Sequence, residues 1–210
     1  VLQWIDGGDF WYYLKYRHNS GEYREEWQQC RTSTGGVLFE QKLLADVVRG
    51  IMYLHGQEPC IIHRDLKPGN ILVERTRPPK AKLTDFGLGR YLRQGEDAHA
   101  MAGTRCYMAP EVAERKPDGA AVDIFSFGCV ALVSMTAEHP EEGRALEAAT
   151  ALRQKNMDAR EELAPIVLLD AACGCLAFEP TARPALSDVY ARLTSSREGV
   201  APPTHEIQSI

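Results

Sequence analysis

The sequence lacks an apolar run long enough to cross a bilayer. Its longest uncharged apolar stretch, Ile124 to Ala137, has 14 residues, where a spanning helix needs about 20. That length suits a helix buried on all sides in a globular core, and no membrane segment is expected. An excess of positive charge is also lacking. Against 24 Lys and Arg stand 29 Asp and Glu, a net charge of −5, so nothing draws the chain as a whole to nucleic acid or anionic lipid. Cysteines in zinc-ligand pairs are lacking too. Of the six, only Cys173 and Cys175 are close neighbours, which fits scattered buried thiols in a reducing compartment. No basic, apolar leader opens the chain: Val1-Leu2-Gln3-Trp4 meets Asp6 at once, so a cytoplasmic, intracellular protein is expected. The initial Val hints at a piece of something longer.

What is present is ordinary globular material. Hydrophobic residues make up 44% and charged residues 25% of 210, which excludes wholesale disorder and collagen-like repetition and leaves room for a substantial core. Residues 1–6 read as the end of an apolar strand stopped by Gly7-Gly8. Asp9 then reads as an N-cap, with Phe10, Tyr13 and Leu14 at helical spacing. Residues 18–36 are polar and end Gly-rich, as an inserted surface loop would. From Val37 to His55, Leu38, Leu43, Leu44, Val47, Val48, Ile51, Met52 and Leu54 give a core-facing helix ending near Gly56.

Short strands are expected at Ile61-Ile62, at Ile71-Leu72-Val73 and from Ala81 to Thr84, with a turn at Pro78-Pro79. Residues 87–119 read as irregular. Beyond the buried helix, amphipathic helices are expected around 145–155, 161–176 and 185–194, then a flexible tail over 196–210. The fold class is therefore mainly α with a small β-ribbon.

One segment carries chemistry. His63-Arg64-Asp65-Leu66-Lys67-Pro68-Gly69-Asn70 matches H-R-D-L-x-x-x-N, and Asp85-Phe86-Gly87 follows Asp65 by 20 positions. Ala109-Pro110-Glu111 comes later. Each triplet alone is a turn or a cap. All three in order, with an apolar strand before each of the first two, form a specific set. On these motifs the chain resembles the protein kinase catalytic domain of the serine/threonine type, in particular its hinge and C-terminal lobe, over residues 1–195. The resemblance implies a truncated α+β kinase fold, ATP and Mg2+ as cofactors, and phosphoryl transfer to Ser or Thr of a protein substrate.

Such transfer needs positioning and charge neutralisation more than covalent chemistry. By resemblance, Asp65 would accept or orient the proton of the substrate hydroxyl. Asn70 and Asp85 would hold magnesium, Asp85 across the phosphates. Lys67 would reach the transferring phosphate. Lys67 followed by Pro68 is typical of serine/threonine kinases, and Thr104 of Gly103-Thr104-Arg105-Cys106-Tyr107 would bond to Asp65 and Lys67. Asp123 would bond the catalytic-loop backbone from below; read alone, it is an N-cap. Arg183 would pair with Glu111 in a buried bidentate contact, although Glu179 stands where the family usually has Asp. His63 and Phe86 resemble members of a stacked apolar spine, both buried. Gly87 completes the metal triplet. At the start, Leu2 would be the gatekeeper, Gln3 and Ile5 would meet the adenine edge, Asp9 would face the ribose and Leu72 would lie under the ring.

The chain departs from the family in two ways. It contains no G-x-G-x-x-G loop before the catalytic motif and no V-A-I-K-like lysine; Gly87-Leu88-Gly89 has no third glycine in place. The N-terminal lobe is then expected upstream in a parent chain, and these 210 residues alone are expected to be inactive. Between Asp85 and Thr104 there is no Ser or Thr, and Ala100 holds the usual phosphorylation position. Arg64, whose counterpart commonly binds an activation-loop phosphate, could instead meet Glu96 or Asp97, or a modified Tyr91. A pseudokinase-like scaffold is the alternative function, favoured by the missing lobe and opposed by the intact Asp65, Lys67, Asn70 and Asp85. A small-molecule kinase of related fold is disfavoured by Ala-Pro-Glu, Gly103-Thr104 and Arg183, which would build a peptide platform.

Overall fold

The computed structural model describes residues 5–19, 39–76, 78–88, 90–92, 103–116, 119–158 and 166–195. The expected roles of Leu2, Gln3, Gly89, Glu96, Asp97 and Ala100, the body of the 18–36 insert and the 196–210 tail fall outside these residues.

Helix α1 (Phe10–Asn19) starts where a cap residue permits it: Asp9 Oδ1 accepts the Tyr12 amide at 2.7 Å, three positions on. Phe10 and Leu14 are fully buried beneath it. Helix α2 (Phe39–His55) carries its apolar stripe inward through Leu43, Leu44, Val47, Val48 and Ile51. Met52, expected in that stripe, is 37% exposed. It sits one residue past Ile51, about 100° round the helix, which turns it off the buried face.

Four short strands follow α2. β1 (Cys60–Ile62) pairs antiparallel with β4 (Arg90–Leu92), Ile61 opposite Tyr91. β2 (Ile71–Glu74) pairs antiparallel with β3 (Lys80–Leu83), Leu72 opposite Lys82. An isolated bridge joins Asp9 to Leu72, and the Val73 amide donates to Gly8 O at 2.9 Å, so the start of the described chain is stitched to β2. β4 corrects the expectation that 87–119 is irregular, as does the short helix α3 (Pro110–Ala113), which begins with Pro at its first position. Arg90-Tyr91-Leu92 is too short to show an alternation of its own; distant β1 makes it a strand.

The helical body is built around α4 (Ala121–Thr136), buried from Val122 to Ser134 except for Ile124. Around it lie α5 (Ala145–Asp158), α6 (Ile166–Cys175) and α7 (Leu186–Thr194). α4 packs on α6, α5 on α6, and α2 on α7. Gly128 permits the closest of these approaches: a Cβ there would stand 2.8 Å from Leu176 Cγ and 3.0 Å from Cys175 Cβ. Residues 161–165 of the expected 161–176 helix lie outside the described residues.

All five described cysteines are free thiols. Cys129 and Cys175 are buried as expected, and burial pushes the Cys175 thiol up to about 12. Cys60, Cys106 and Cys173 are only half-buried: Cys60 opens β1, Cys106 lies in a single turn, and Cys173 sits on α6. Among the described residues no helix is long and apolar enough to cross a membrane.

Candidate active site

The 63–70 segment runs from β1 into a short 3-10 turn, Pro68–Asn70, that leads directly into β2. Its backbone is fixed from below by a residue of α4. Asp123, with no exposed surface, accepts the amides of His63 and Arg64, each at 2.9 Å, on its two oxygens. His55 Nε2, at the end of α2, shares Oδ2 at 2.8 Å. These bonds hold Arg64 at φ 67, a left-handed conformation that few side chains adopt unaided. So Asp123 lies in the third position of α4 rather than at its cap, and its carboxylate serves the loop.

Asp65, next in the chain, is 8% exposed and surrounded by donors. Its Oδ2 accepts Lys67 Nζ at 2.8 Å and Asn70 Nδ2 at 2.9 Å. Its Oδ1 accepts the amide and the hydroxyl of Thr104, at 3.0 and 2.9 Å. Lys67 Nζ also donates to Thr104 Oγ1 at 2.8 Å, closing a ring of three side chains. Asn70 Nδ2 donates in addition to the Asp65 carbonyl at 2.8 Å. Burial by itself pushes the Asp65 carboxyl up. The bonds from Lys67, Thr104 and Asn70, with the Lys67 charge, outweigh it, and the pKa lies below the ordinary carboxylate value.

Gly103 makes the approach of Thr104 possible. Its φ is 111, and a Cβ there would fall 2.6 Å from the Arg64 carbonyl.

Asp85 follows β3 and is tied to the same loop through its neighbour. The Thr84 amide donates to Asn70 O at 3.0 Å, and His63 Nε2 meets Thr84 O at 3.0 Å. Asp85 itself is exposed, sits at φ 59, and accepts the Gly87 amide on Oδ1 at 3.3 Å. Two left-handed non-glycine residues, Arg64 and Asp85, thus flank one β-ribbon. Such strain is held in place only where the surroundings over-determine it. Phe86 departs from expectation. Its ring lies 5.2 Å from that of the fully buried His63, yet it is 48% exposed, because His63 covers one side and solvent meets the rest.

Behind the site, Arg183 and Glu111 form a bidentate pair at 2.6 and 2.7 Å. Arg183 also donates to the carbonyls of Ala177, Ala121 and Phe178 at 3.0, 2.9 and 3.1 Å. All five of its N–H donors are used, and its guanidinium lies over the Phe125 ring at 5.2 Å.

The expected nucleotide contacts are less converged. Ile5 is half-buried, and Asp9 spends one carboxylate oxygen on capping α1. Leu72 is half-buried and bridges to Asp9 through the backbone. Four residues escaped the sequence reading: His55 on Asp123, Thr84 between the two loops, Ser126, and His139. Ser126 Oγ donates to Tyr107 O at 2.8 Å, and the Tyr107 hydroxyl pairs with His139 Nδ1 at 2.6 Å. These partners are 19 and 32 positions from Tyr107 in sequence. Neither His nor Ser carries a local pattern that announces such a contact.

A loop held by a buried aspartate thus carries a second aspartate ringed by Lys, Thr and Asn. The model of the protein kinase domain matches residues 4–192, and the chain belongs to the protein kinase family. Among its relatives are serine/threonine-protein kinases. It is 33% identical over 155 residues, 70% of the chain, to a putative serine/threonine-protein kinase/receptor of Acanthamoeba polyphaga mimivirus. It is 38% identical over 103 residues, 49% of the chain, to the probable serine/threonine-protein kinase drkB of Dictyostelium discoideum. It is 32% identical over 145 residues, 67% of the chain, to the serine/threonine-protein kinase VIK of Arabidopsis thaliana. The matched part spans only 9%, 14% and 30% of these relatives.

Proposed function

We propose that this chain is the hinge and C-terminal lobe of an ATP-dependent protein serine/threonine kinase. The observation that carries the reading is the shared coordination of the Asp65 carboxylate by Lys67, Thr104 and Asn70. Asp65 is ionised at neutral pH, and its lowered pKa makes it an orienting acceptor for a substrate hydroxyl rather than a strong base. Lys67, already beside Asp65 and Thr104, can turn its ammonium toward an incoming phosphate, and Thr104 holds the pair in register. Lys67 before Pro68, together with Thr104, resembles the serine/threonine type, and Ser or Thr is the acceptor proposed on that resemblance.

The residues present fit a divalent cation. Asn70 spends both hydrogens of Nδ2 on Asp65, which leaves Oδ1 as its free donor atom; Asp85 offers an exposed carboxylate one residue from the Thr84–Asn70 bond. Hard oxygen donors of this kind suit Mg2+, which when bound with ATP supplies neutralisation of phosphate charge. Ile5, Asp9 and Leu72 are assigned to the nucleotide side. Glu111 and Arg183 are assigned to holding the substrate platform, Asp123 to holding the loop, His63 and Phe86 to linking the two motifs, and Arg64 to regulation. A cytoplasmic site of action and an N-terminal lobe from the parent chain belong to the same proposal. Lacking a glycine-rich loop and its lysine, the isolated 210 residues are expected to transfer no phosphate; robust turnover by them would remove that part.

The test is transfer of labelled γ-phosphate from ATP to myelin basic protein by the full-length protein, with Asp65→Asn alongside. Phosphoserine or phosphothreonine made by the wild type and not by the variant is expected. The scaffold reading takes over if the folded wild type binds a protein partner and labels nothing.

A further inference from the structure

Tyr107 lies in the segment that touches Asp65 and is held there by a residue with no part in the chemistry above. The turn Arg105–Tyr107 is closed by the Tyr107 amide on Thr104 O at 2.9 Å and the Met108 amide on Arg105 O at 3.1 Å. Its first flank, Thr104, is bonded to Asp65. An acceptor hydroxyl approaching Asp65 therefore brings its neighbouring residues against this turn. The main chain of the turn is anchored to α4 through Ser126 and Tyr107 O. The Tyr107 side chain is 3% exposed, and a buried phenol needs a partner.

His139 is that partner. It lies after α4, not in the turn, and is itself exposed. Its Nδ1 meets the Tyr107 hydroxyl at 2.6 Å. Burial keeps Tyr107 protonated, its pKa pushed well above the ordinary value, so the phenol holds a proton that Nδ1 accepts when the ring proton sits on Nε2. The same ring stacks on Trp11 of α1, with centroids 3.9 Å apart and planes inclined by 23°. Lys15 Nζ stands 4.8 Å over the Trp11 ring. Helix α1 follows its cap Asp9, whose backbone bridges to Leu72 of β2. One exposed imidazole thus joins the turn beside Asp65 to the helix on the nucleotide side.

We infer that His139 is a positioning residue for the protein substrate, acting through Tyr107 to hold the 104–108 turn in its seat; this rests on the kinase reading. His139 is an exposed residue outside the buried core cluster, so its removal leaves no cavity there. Its main effect falls on the turn and on what docks there, because α1 keeps its own cap and its backbone ties to β2 without His139.

The full-length protein is assayed with myelin basic protein as the probe, varying protein and ATP separately. His139→Ala raises KM for the protein about fivefold, the scale of one hydrogen bond lost from a buried phenol, while KM for ATP holds. His139→Asn, whose Oδ1 can stand where Nδ1 stood, recovers most of the loss. Tyr107→Phe reproduces the rise, and the double variant adds nothing to it. KM values for both substrates rising in step, no rise at all, or a loss that His139→Asn does not recover would overturn the inference. Hydrogen exchange supplies the arm that is independent of transfer. In His139→Ala the Tyr107 and Met108 amides exchange faster while α4 amides do not; unchanged exchange defeats the inference whatever the kinetics. A wild type that labels no protein defeats the kinase reading instead, and exchange alone then decides whether His139 holds the turn.

Discussion

Asp65 and Asp123 are two buried carboxylates of one small region, and they are held in opposite ways. Asp123 is bonded to the main-chain amides of His63 and Arg64 and to the His55 ring. Asp65 is bonded mostly to side chains, the Lys67 ammonium, the Thr104 hydroxyl and the Asn70 amide. Main-chain amides cannot leave their acceptor without unfolding the loop that carries them. An ammonium and a hydroxyl can swing to a new partner by rotating a side chain. The first carboxylate is therefore a fixed point of the fold, and the second, in the proposed kinase reading, is the working group poised on the first.

The contrast makes its largest demand at Asp123. Asp123→Ala orphans two buried amides and the His55 ring, and stability is expected to fall by about 3–5 kcal/mol, the cost of breaking a buried charged network. Urea denaturation measures it. A loss below about 1 kcal/mol would mean that the loop is held by something other than α4.

Asp65→Asn should separate function from folding. The amide is isosteric and can still accept on one oxygen but sets an NH2 against the two donors at the other, so stability is expected to fall by about 1–3 kcal/mol, less than at Asp123. Phosphate transfer by the full-length protein is expected to drop about 10²- to 10⁴-fold, the range for loss of a positioned acid or base. A variant that unfolds would make Asp65 a second fixed point and erase the distinction.

The contrast was half legible in the sequence. The motif residues 63–70 announced Asp65, Lys67 and Asn70 because they are close in the chain and chemically unusual together, whereas Thr104, 39 positions on, was named only through the family resemblance. The long helices were legible for a similar reason: α2 and α4 write their burial into local periodicity or into an unbroken apolar run. β4 was not, because three residues take strand form only when β1 lies beside them. His55, Ser126 and His139 were invisible because their roles are set by contacts 68, 19 and 32 positions away. The exposure of Phe86 was missed for a related reason: a motif names a residue type, and only the packing around it decides how much of the ring is covered.

The smallest effect is the most direct reading of the working group's surroundings. Burial, the largest influence on Asp65, raises its pKa, and the Lys67 bond is the largest opposing one. A carboxyl whose folded pKa lies below its unfolded value of about 3.9 adds stability that is fully present above that value and is lost as pH falls through the folded one. Wild type should therefore lose, in acid, an increment that Asp65→Asn never has, and the two stability curves should converge below about pH 4. Lys67→Met removes the strongest cationic partner and leaves burial less opposed, so the Asp65 titration should move upward. Carboxyl-carbon NMR of the two proteins measures the midpoints. A midpoint unmoved by Lys67→Met would show that Thr104 and Asn70 hold the charge without the lysine, leaving Lys67 no electrostatic hold on the carboxylate to give up when phosphate arrives.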